Sequence, residues 1–198
     1  TRAIRSLRLT GRETVLDLCT GTGDLAIEAR QASPGAARVV GVDFSGVMLA
    51  LGAGKLRRRR LDRTIVLVRG DASVIPVADR SVDAVTIAFG IRNVEDRDAA
   101  CREMWRVLKP GGRLAILEFA MPTAPAFRWL YLSYFRHILP RVGAWISGHA
   151  SAYAYLPASV DAFEPGEFME VLRQSGFVDV AADPMTFASV FLYTARRA

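Results

Sequence analysis

The sequence predicts a doubly wound α/β domain on a mostly parallel sheet. Short apolar runs alternate with helical patterns along the chain, and a glycine-rich turn, Gly21-Thr22-Gly23, joins the first strand to the helix after it. The length of 198 residues fits one domain, large enough to bury about 70% of its unfolded surface.

Val15-Leu16-Asp17-Leu18 reads as the first strand, and Asp24-Leu25-Ala26-Ile27-Glu28-Ala29 as the helix beyond the turn. Val39 to Asp43 supplies a second strand, and Ser45 an N-cap for a helix carrying Val47, Met48 and Leu49, which completes a βαβ unit. Ile65 to Val68, Ala84 to Phe89 and Arg113 to Phe119 are further strands. The last two bracket a helix with Cys101, Met104, Trp105 and Leu108 on one face. Leu108-Lys109-Pro110-Gly111-Gly112 is expected to end that helix, because proline cannot continue it and glycine suits the turn, so that the next strand starts at Arg113.

Beyond the fifth strand, Phe127, Leu130, Tyr131, Tyr134, Phe135 and Ile138 share one helical face, which predicts a helical insertion over about residues 122–160. The tail reads as a helix from Pro165 to Ser175, ended by Gly176, then strands near Phe177 to Ala181 and Phe187 to Thr194. No repeat or linker interrupts the pattern, so residues 1–198 are expected to form a single Rossmann-like domain.

Composition narrows the function. With 51% hydrophobic and 23% charged residues the chain is not of the disordered class. No apolar run reaches the roughly 18 residues that a bilayer span needs, and the basic start from Thr1 to Arg8 lacks the apolar block of a signal peptide, so a cytoplasmic location is expected. Cys19 and Cys101 belong to no Cys/His cluster, and neither a metal nor a disulfide framework is expected. The net charge of +6 suits an acidic partner. Lys55, Arg57 to Arg60, Arg63 and Arg69 concentrate that excess, with only Asp62 to offset it; the simpler reading is a solvated helix face, the other a contact with lipid or RNA.

Gly21-Thr22-Gly23 lets backbone approach a ligand where side chains would clash, at a helix N-terminus whose N–H groups point outward. Asp43 ends the second strand twenty residues after Gly23, where a carboxylate can accept from both hydroxyls of a ribose. These features predict a nucleoside site without naming it, since Gly21, Gly23 and Ala26 also satisfy the relaxed fingerprint of dinucleotide dehydrogenases.

Asp17 at the end of the first strand and Gly70-Asp71-Ala72 after the third complete a carboxylate pattern that resembles class I methyltransferases. The resemblance implies a seven-stranded sheet and S-adenosylmethionine as cofactor. Asp17 and the loop Gly21, Thr22, Gly23 would order the methionine end, Asp43 and Phe44 would hold the ribose and its surroundings, Asp71 and Ala72 would reach the adenine edge, and Ala88 would lie beside them.

The stretch Val85-Thr86-Ile87-Ala88-Phe89-Gly90-Ile91-Arg92-Asn93-Val94 is more specific: it resembles the ubiquinone/menaquinone biosynthesis C-methyltransferase family. The likeness extends through Leu16 to Asp24, Gly41 to Ser45, Arg106 to Gly112 and Leu117-Glu118-Phe119, and continues with Ile146-Ser147-Gly148 and Ala152-Tyr153-Ala154-Tyr155-Leu156. It implies methylation of a ring carbon on a polyprenylated quinol, demethylmenaquinol to menaquinol or a ubiquinone precursor (2-polyprenyl-6-methoxy-1,4-benzoquinol). Arg92 and Asn93 match the family's signature and are the expected catalytic pair. Arginine, with a pKa above about 12, is a poor base but can stabilise a phenolate or orient a water. The competing structural roles are an ion pair from Arg92 to Glu95 or Asp96 and a helix cap at Asn93. Tyr153 is expected on the substrate side; His137 and His149 lie near these aromatics without a motif around them.

Two departures stand out. Ala88 occupies a place where some relatives carry serine, and before Val15 there is no match to the Tyr-Asp helical element that relatives fold over the cofactor. Among rival readings, amino-methylating RNA enzymes would need a Pro-Pro-aromatic element where this chain has Ala88-Phe89-Gly90, so no nucleic-acid partner is expected. A non-catalytic component of a quinone-synthesis assembly, binding cofactor or lipid, is the alternative of another class. The substrate's membrane residence and the arginine cluster together predict peripheral contact with the anionic inner face of the cell membrane. Homo-oligomerisation stays open.

Overall fold

The computed structural model describes residues 1–32, 38–122 and 163–198. Within them a seven-stranded sheet runs in the order β3-β2-β1-β4-β5-β7-β6, built from β1 (Thr14–Leu18), β2 (Arg38–Asp43), β3 (Ile65–Arg69), β4 (Val82–Ala88), β5 (Leu108–Phe119), β6 (Phe177–Met185) and β7 (Val190–Arg197). The first five strands pair in parallel, while β7 runs antiparallel to both β5 and β6. The expected mostly parallel, seven-stranded sheet is therefore what forms.

Helices α1 (Arg2–Ser6), α2 (Asp24–Ala32), α3 (Gly46–Arg58), α4 (Arg97–Val107) and α5 (Pro165–Gln174) cover the sheet. The period-2 alternation of the strands divides the core in two. Val15, Ala84, Ala115 and Leu117 pack on one face with Ala26, Ile27 and Leu56. Leu16, Leu18, Val85, Ile87, Leu114 and Ile116 face the other side, against Cys101, Met104, Phe168 and Leu172. Ser45 caps α3 as expected, its hydroxyl accepting from Met48 N, and Pro165 starts α5.

One element is unannounced by the sequence and one expectation needs correction. The polar, basic start hides α1, whose Ala3, Ile4 and Leu7 are fully or almost fully buried against α2 and the sheet. Five residues are too few for a periodic pattern to announce a helix, and tertiary packing supplies its stability. Leu108 is not on the α4 face but opens β5, pairing with Val82 before the register shifts to Ala84 with Arg113. The helix ends at Val107 because its last carbonyls are taken up from outside: Arg80 N donates to Arg106 O and Ser81 N to Val107 O. Arg197 Nη1 adds hydrogen bonds to the carbonyls of Trp105, Arg106 and Leu108, with its guanidinium 3.6 Å from the Trp105 ring centroid. The tail strands also run further than their apolar cores suggest, to Met185 and Arg197.

β1 lies between β2 and β4, where the winding direction reverses. In an open α/β sheet a crevice opens at that point, outside the carboxyl ends of the strands.

Candidate active site

A cavity of about 1120 Å³ occupies that crevice. Its walls come from the strand ends: Asp17 and Leu18 of β1, Asp43 of β2, Asp71 after β3, Ala88 of β4 with Phe89 just beyond it, and Leu117 of β5.

The β1 end is built around a buried carboxylate. Asp17 is 1% exposed, accepts from Thr20 Oγ1 at 2.5 Å and from Thr86 Oγ1 at 2.8 Å, and stands directly opposite Thr86 in the β1–β4 register. Burial pushes its carboxyl up to about 6; the two hydroxyls oppose this, and nearby Asp43 adds to it. The chain then turns through Cys19, Gly21 and Gly23 at positive φ, with Gly23 N closing the turn onto Thr20 O at 2.8 Å. Asp43 holds the turn to the next strand, one oxygen accepting from Gly21 N at 2.7 Å and the other from Ser45 N at 2.8 Å.

Thr22 and Gly23 do not line the cavity. Thr22 turns outward, donating to Asp24 and accepting from Lys55 Nζ, so its contribution is to fasten α2 to α3. Of the other expected cofactor residues, Asp17, Gly21, Asp43, Phe44, Asp71, Ala72 and Ala88 do line it. Phe44 stands there 74% exposed, with Met48 on the same wall. Asp71 orders its own turn, Oδ1 accepting from Ser73 N and Oγ.

The β4 end separates the two expected catalytic residues. Asn93 is exposed and faces the cavity from the 3-10 turn Ile91–Asn93. Arg92 lies behind that wall: its Nη1 donates to Glu118 Oε1 and to Phe89 O, each at 2.6 Å, and Glu118 also accepts from the backbone N–H groups of Arg92 and Phe119. The partner is thus Glu118 from β5, not Glu95 or Asp96, and Asp96 rather than Asn93 caps the helix that follows. Burial pushes Glu118 up from the ordinary carboxylate range while Arg92 pulls it back. Phe89, at φ +56°, stacks on Phe119 with centroids 4.3 Å apart, and the Arg92 guanidinium lies 5.3 Å from the Phe119 centroid. Gly90 packs so closely on Cys19 that a methyl there would overlap its Cβ.

Tyr153, together with Tyr131, Tyr155, His137, His149 and the insertion at 122–160, lies almost wholly outside the described residues. Thr20, Thr86, Met48 and Glu118 were missed. Thr86 and Glu118 fall within family-like stretches that say nothing of their partners, and only the β1–β4–β5 adjacency supplies those. The Cys19 thiol is pushed up to about 12 by burial, so it stays protonated and is no nucleophile.

The charge of the cavity is opposite to that of the chain. Asp17, Asp43, Asp71, Glu95 and Asp96 line it, and among the described residues no lysine or arginine does. A dinucleotide pyrophosphate would meet repulsion there, and Gly21 N, which could have cradled it, already serves Asp43. A nucleoside carrying a sulfonium and an ammonium meets attraction there, from carboxylates able to accept from hydroxyls and beside an aromatic ring able to stack on a base. The residues fit S-adenosylmethionine.

Comparison with known proteins agrees. The model of the ubiE/COQ5 methyltransferase family matches residues 3–197. The chain belongs to that family. It is 47% identical over 196 residues to a ubiquinone/menaquinone biosynthesis C-methyltransferase UbiE of Syntrophotalea carbinolica, covering 98% of this chain and 81% of that one. It is 48% identical over 164 residues to a demethylmenaquinone methyltransferase of Deinococcus radiodurans, covering 82% of this chain and 67% of that one.

Solved structures carry the fold. The [4+2]-cyclase SpnF aligns with TM-score 0.75 at 21% identity, covering 99% of this chain and 79% of that one. A SAM-dependent methyltransferase from Aquifex aeolicus aligns with TM-score 0.73 at 18% identity, covering 100% and 88%. A cyclase on this scaffold is a reminder that fold alone does not fix chemistry. Membership of the ubiE/COQ5 family does: the chain is an S-adenosylmethionine-dependent methyltransferase.

Proposed function

We propose that this enzyme methylates a ring carbon of a polyprenylated quinol, converting demethylmenaquinol to menaquinol. The acidic cavity at the sheet's switch point, with an exposed aromatic ring at its edge, carries the cofactor half of this reading. The relatives' names support the substrate half; one is called a demethylmenaquinone methyltransferase in Deinococcus radiodurans and another in Thermus thermophilus. A ubiquinone precursor is the second reading, favoured by the joint name of the Syntrophotalea relative.

Bound S-adenosylmethionine would supply an already electrophilic methyl, its S–CH3 bond breaking as the ring C–CH3 bond forms to leave S-adenosylhomocysteine, and the ring carbon gives up its proton to water, so the protein's work is alignment and charge. Asp17 meets the methionine ammonium, Asp43 the ribose hydroxyls, Phe44 the adenine face, and Asp71 with Ala72 its edge. The Gly21 turn lets backbone come close, and Ala88 leaves room at the β4 end. Asn93, on the cavity side of its turn, orients a ring hydroxyl so that the adjacent carbon faces the methyl. Arg92 acts as a positioning residue: fastened to Glu118 and Phe89 O, it fixes the turn that presents Asn93. The segment at 122–160, with Tyr153, forms the substrate side of this single domain. No described helix is long and apolar enough to cross a membrane, and the enzyme meets its quinol by peripheral contact with an anionic bilayer.

Incubation with methyl-labelled S-adenosylmethionine and, in parallel, demethylmenaquinol and the demethylated ubiquinol precursor tests this reading. Label in menaquinol establishes it, label only in the ubiquinol selects the second, and label in neither with cofactor bound sinks both.

A further inference from the structure

Among the described residues the outer face of α3 combines exposed aliphatic side chains with a run of exposed arginines. Val47, Ala50, Leu51, Gly54 and Arg58 follow the i, i+3, i+4, i+7, i+11 spacing of one helical stripe, while Leu49, Gly52 and Leu56 are the residues α3 buries. On that stripe Val47 is 72% and Leu51 58% exposed. The stripe then meets Arg57, Arg58, Arg59 and Arg60, all exposed, with exposed Arg63 just beyond. From Phe44 to Leu61 the chain has no Asp or Glu. Among the described residues none of these five arginines forms an ion pair; the one lysine of the helix, Lys55, is used internally on Asp24.

A helix C-terminus accounts for one or two cations, since its macrodipole favours them. It does not account for five exposed arginines in one short run, nor for two large aliphatic side chains in water a turn or two away. Together they make a face that is apolar at one end and strongly cationic at the other, about 10 Å from Leu51 to Arg58 along the axis.

We infer that this face of α3 docks the enzyme on an anionic lipid bilayer, Val47 and Leu51 entering the headgroup boundary and Arg57, Arg58, Arg60 and Arg63 pairing with lipid phosphates. Charge complementarity fixes the sign of the partner, and the exposed aliphatics select a bilayer over a nucleic acid, whose backbone offers them nothing. The surface also adjoins the cavity, because α3 begins immediately after Phe44 and Ser45 and carries Met48, all three of which line it. A lipid-borne substrate therefore has a short path from the docked face to the cavity edge. The inference deepens the quinol reading and rests on it for its purpose, but the surface features stand without it.

The test uses the full chain with vesicles of phosphatidylcholine, with or without phosphatidylglycerol, measured by co-sedimentation. Binding is expected only with phosphatidylglycerol and should weaken in high salt. The triple change Arg57→Ser, Arg58→Ser, Arg60→Ser should lower partitioning by about a hundredfold, roughly fivefold for each arginine, and Leu51→Ser by roughly tenfold. Both variants should melt as the parent does and transfer methyl to a short-chain, water-soluble quinol at the parent's rate, so that a docking defect is separable from a failed substrate assignment. Vesicle binding by a parent that methylates no quinol would leave the surface standing and remove the substrate reading. No binding at low salt overturns the inference, as does binding that the arginine changes leave intact. Tight polyuridylate binding that Leu51→Ser does not alter would assign the face to RNA instead, and a dimer that Leu51→Ser dissociates would assign it to a second copy of the chain.

Discussion

Arg92 and Glu118 meet at 2.6 Å behind the cavity wall, their side chains 5% and 0% exposed, joining the turn after β4 to the end of β5. Removing one member of such a buried pair leaves the other charged and unpaired. Glu118→Ala should therefore lower stability by about 3–5 kcal/mol, and Glu118→Gln, whose one amide oxygen can still accept from Arg92 Nη1 and Phe119 N while its NH2 is set against Arg92 N, by less. Urea denaturation of the three proteins checks the order.

If Arg92 positions rather than touches the substrate, Arg92→Lys should lower kcat with little change in the KM for S-adenosylmethionine, because the Asn93 turn loosens while the cofactor contacts remain. A roughly tenfold or larger rise in that KM, with kcat preserved, would contradict this assignment.

The raised Asp17 carboxyl gives a pH signature. Its ionised form is the one that attracts an ammonium, so cofactor affinity should be level above about pH 6 and fall roughly tenfold per unit below it. Stability should move the other way. The folded state holds this proton up to about 6, whereas the unfolded chain releases it near the ordinary 3.8, so the group's contribution is full below that value and is lost as pH rises through the interval. Asp17→Asn should flatten both profiles, measured by calorimetric titration and by melting.

Phe44 is exposed enough that its removal should not disturb folding. Phe44→Ala is expected to weaken S-adenosylmethionine binding by roughly three- to tenfold through loss of the aromatic face, with an unchanged melting temperature. Equal losses in stability and affinity would mean that the ring belongs to the scaffold.

Gly90 is fixed by Cys19, whose Cβ a new methyl would overlap. Gly90→Ala should cost about 1–3 kcal/mol. Adding Cys19→Gly, at a position already at φ +51°, should recover a good part of that loss in thermal unfolding.

Much of the site was legible along the chain because its residues follow the strand period. A strand, a glycine turn and a helix in sequence place Gly21 and Asp17 at one strand's end, and the same logic repeats at Asp43, Asp71 and Ala88. These positions are local consequences of five parallel strands that end on one side of the sheet. Thr22 shows the limit of that logic, since its place in the turn was clear but its side chain went to Lys55 on α3, thirty-three residues away.

The sequence by itself determined the alternation, hence the fold class and the side of the sheet on which a ligand binds, because hydrophobic periodicity is a short-range property. Its motifs also determined the family. Only the tertiary structure decided that Glu118, and not Glu95 or Asp96, neutralises Arg92, that Thr86 completes Asp17, and that a short basic segment at the start is a helix with one buried face. Each depends on which strands become neighbours. The order β3-β2-β1-β4-β5 brings together residues 26 and 69 positions apart, and in the low-dielectric interior those pairings, rather than proximity along the chain, set the charge and geometry of the site.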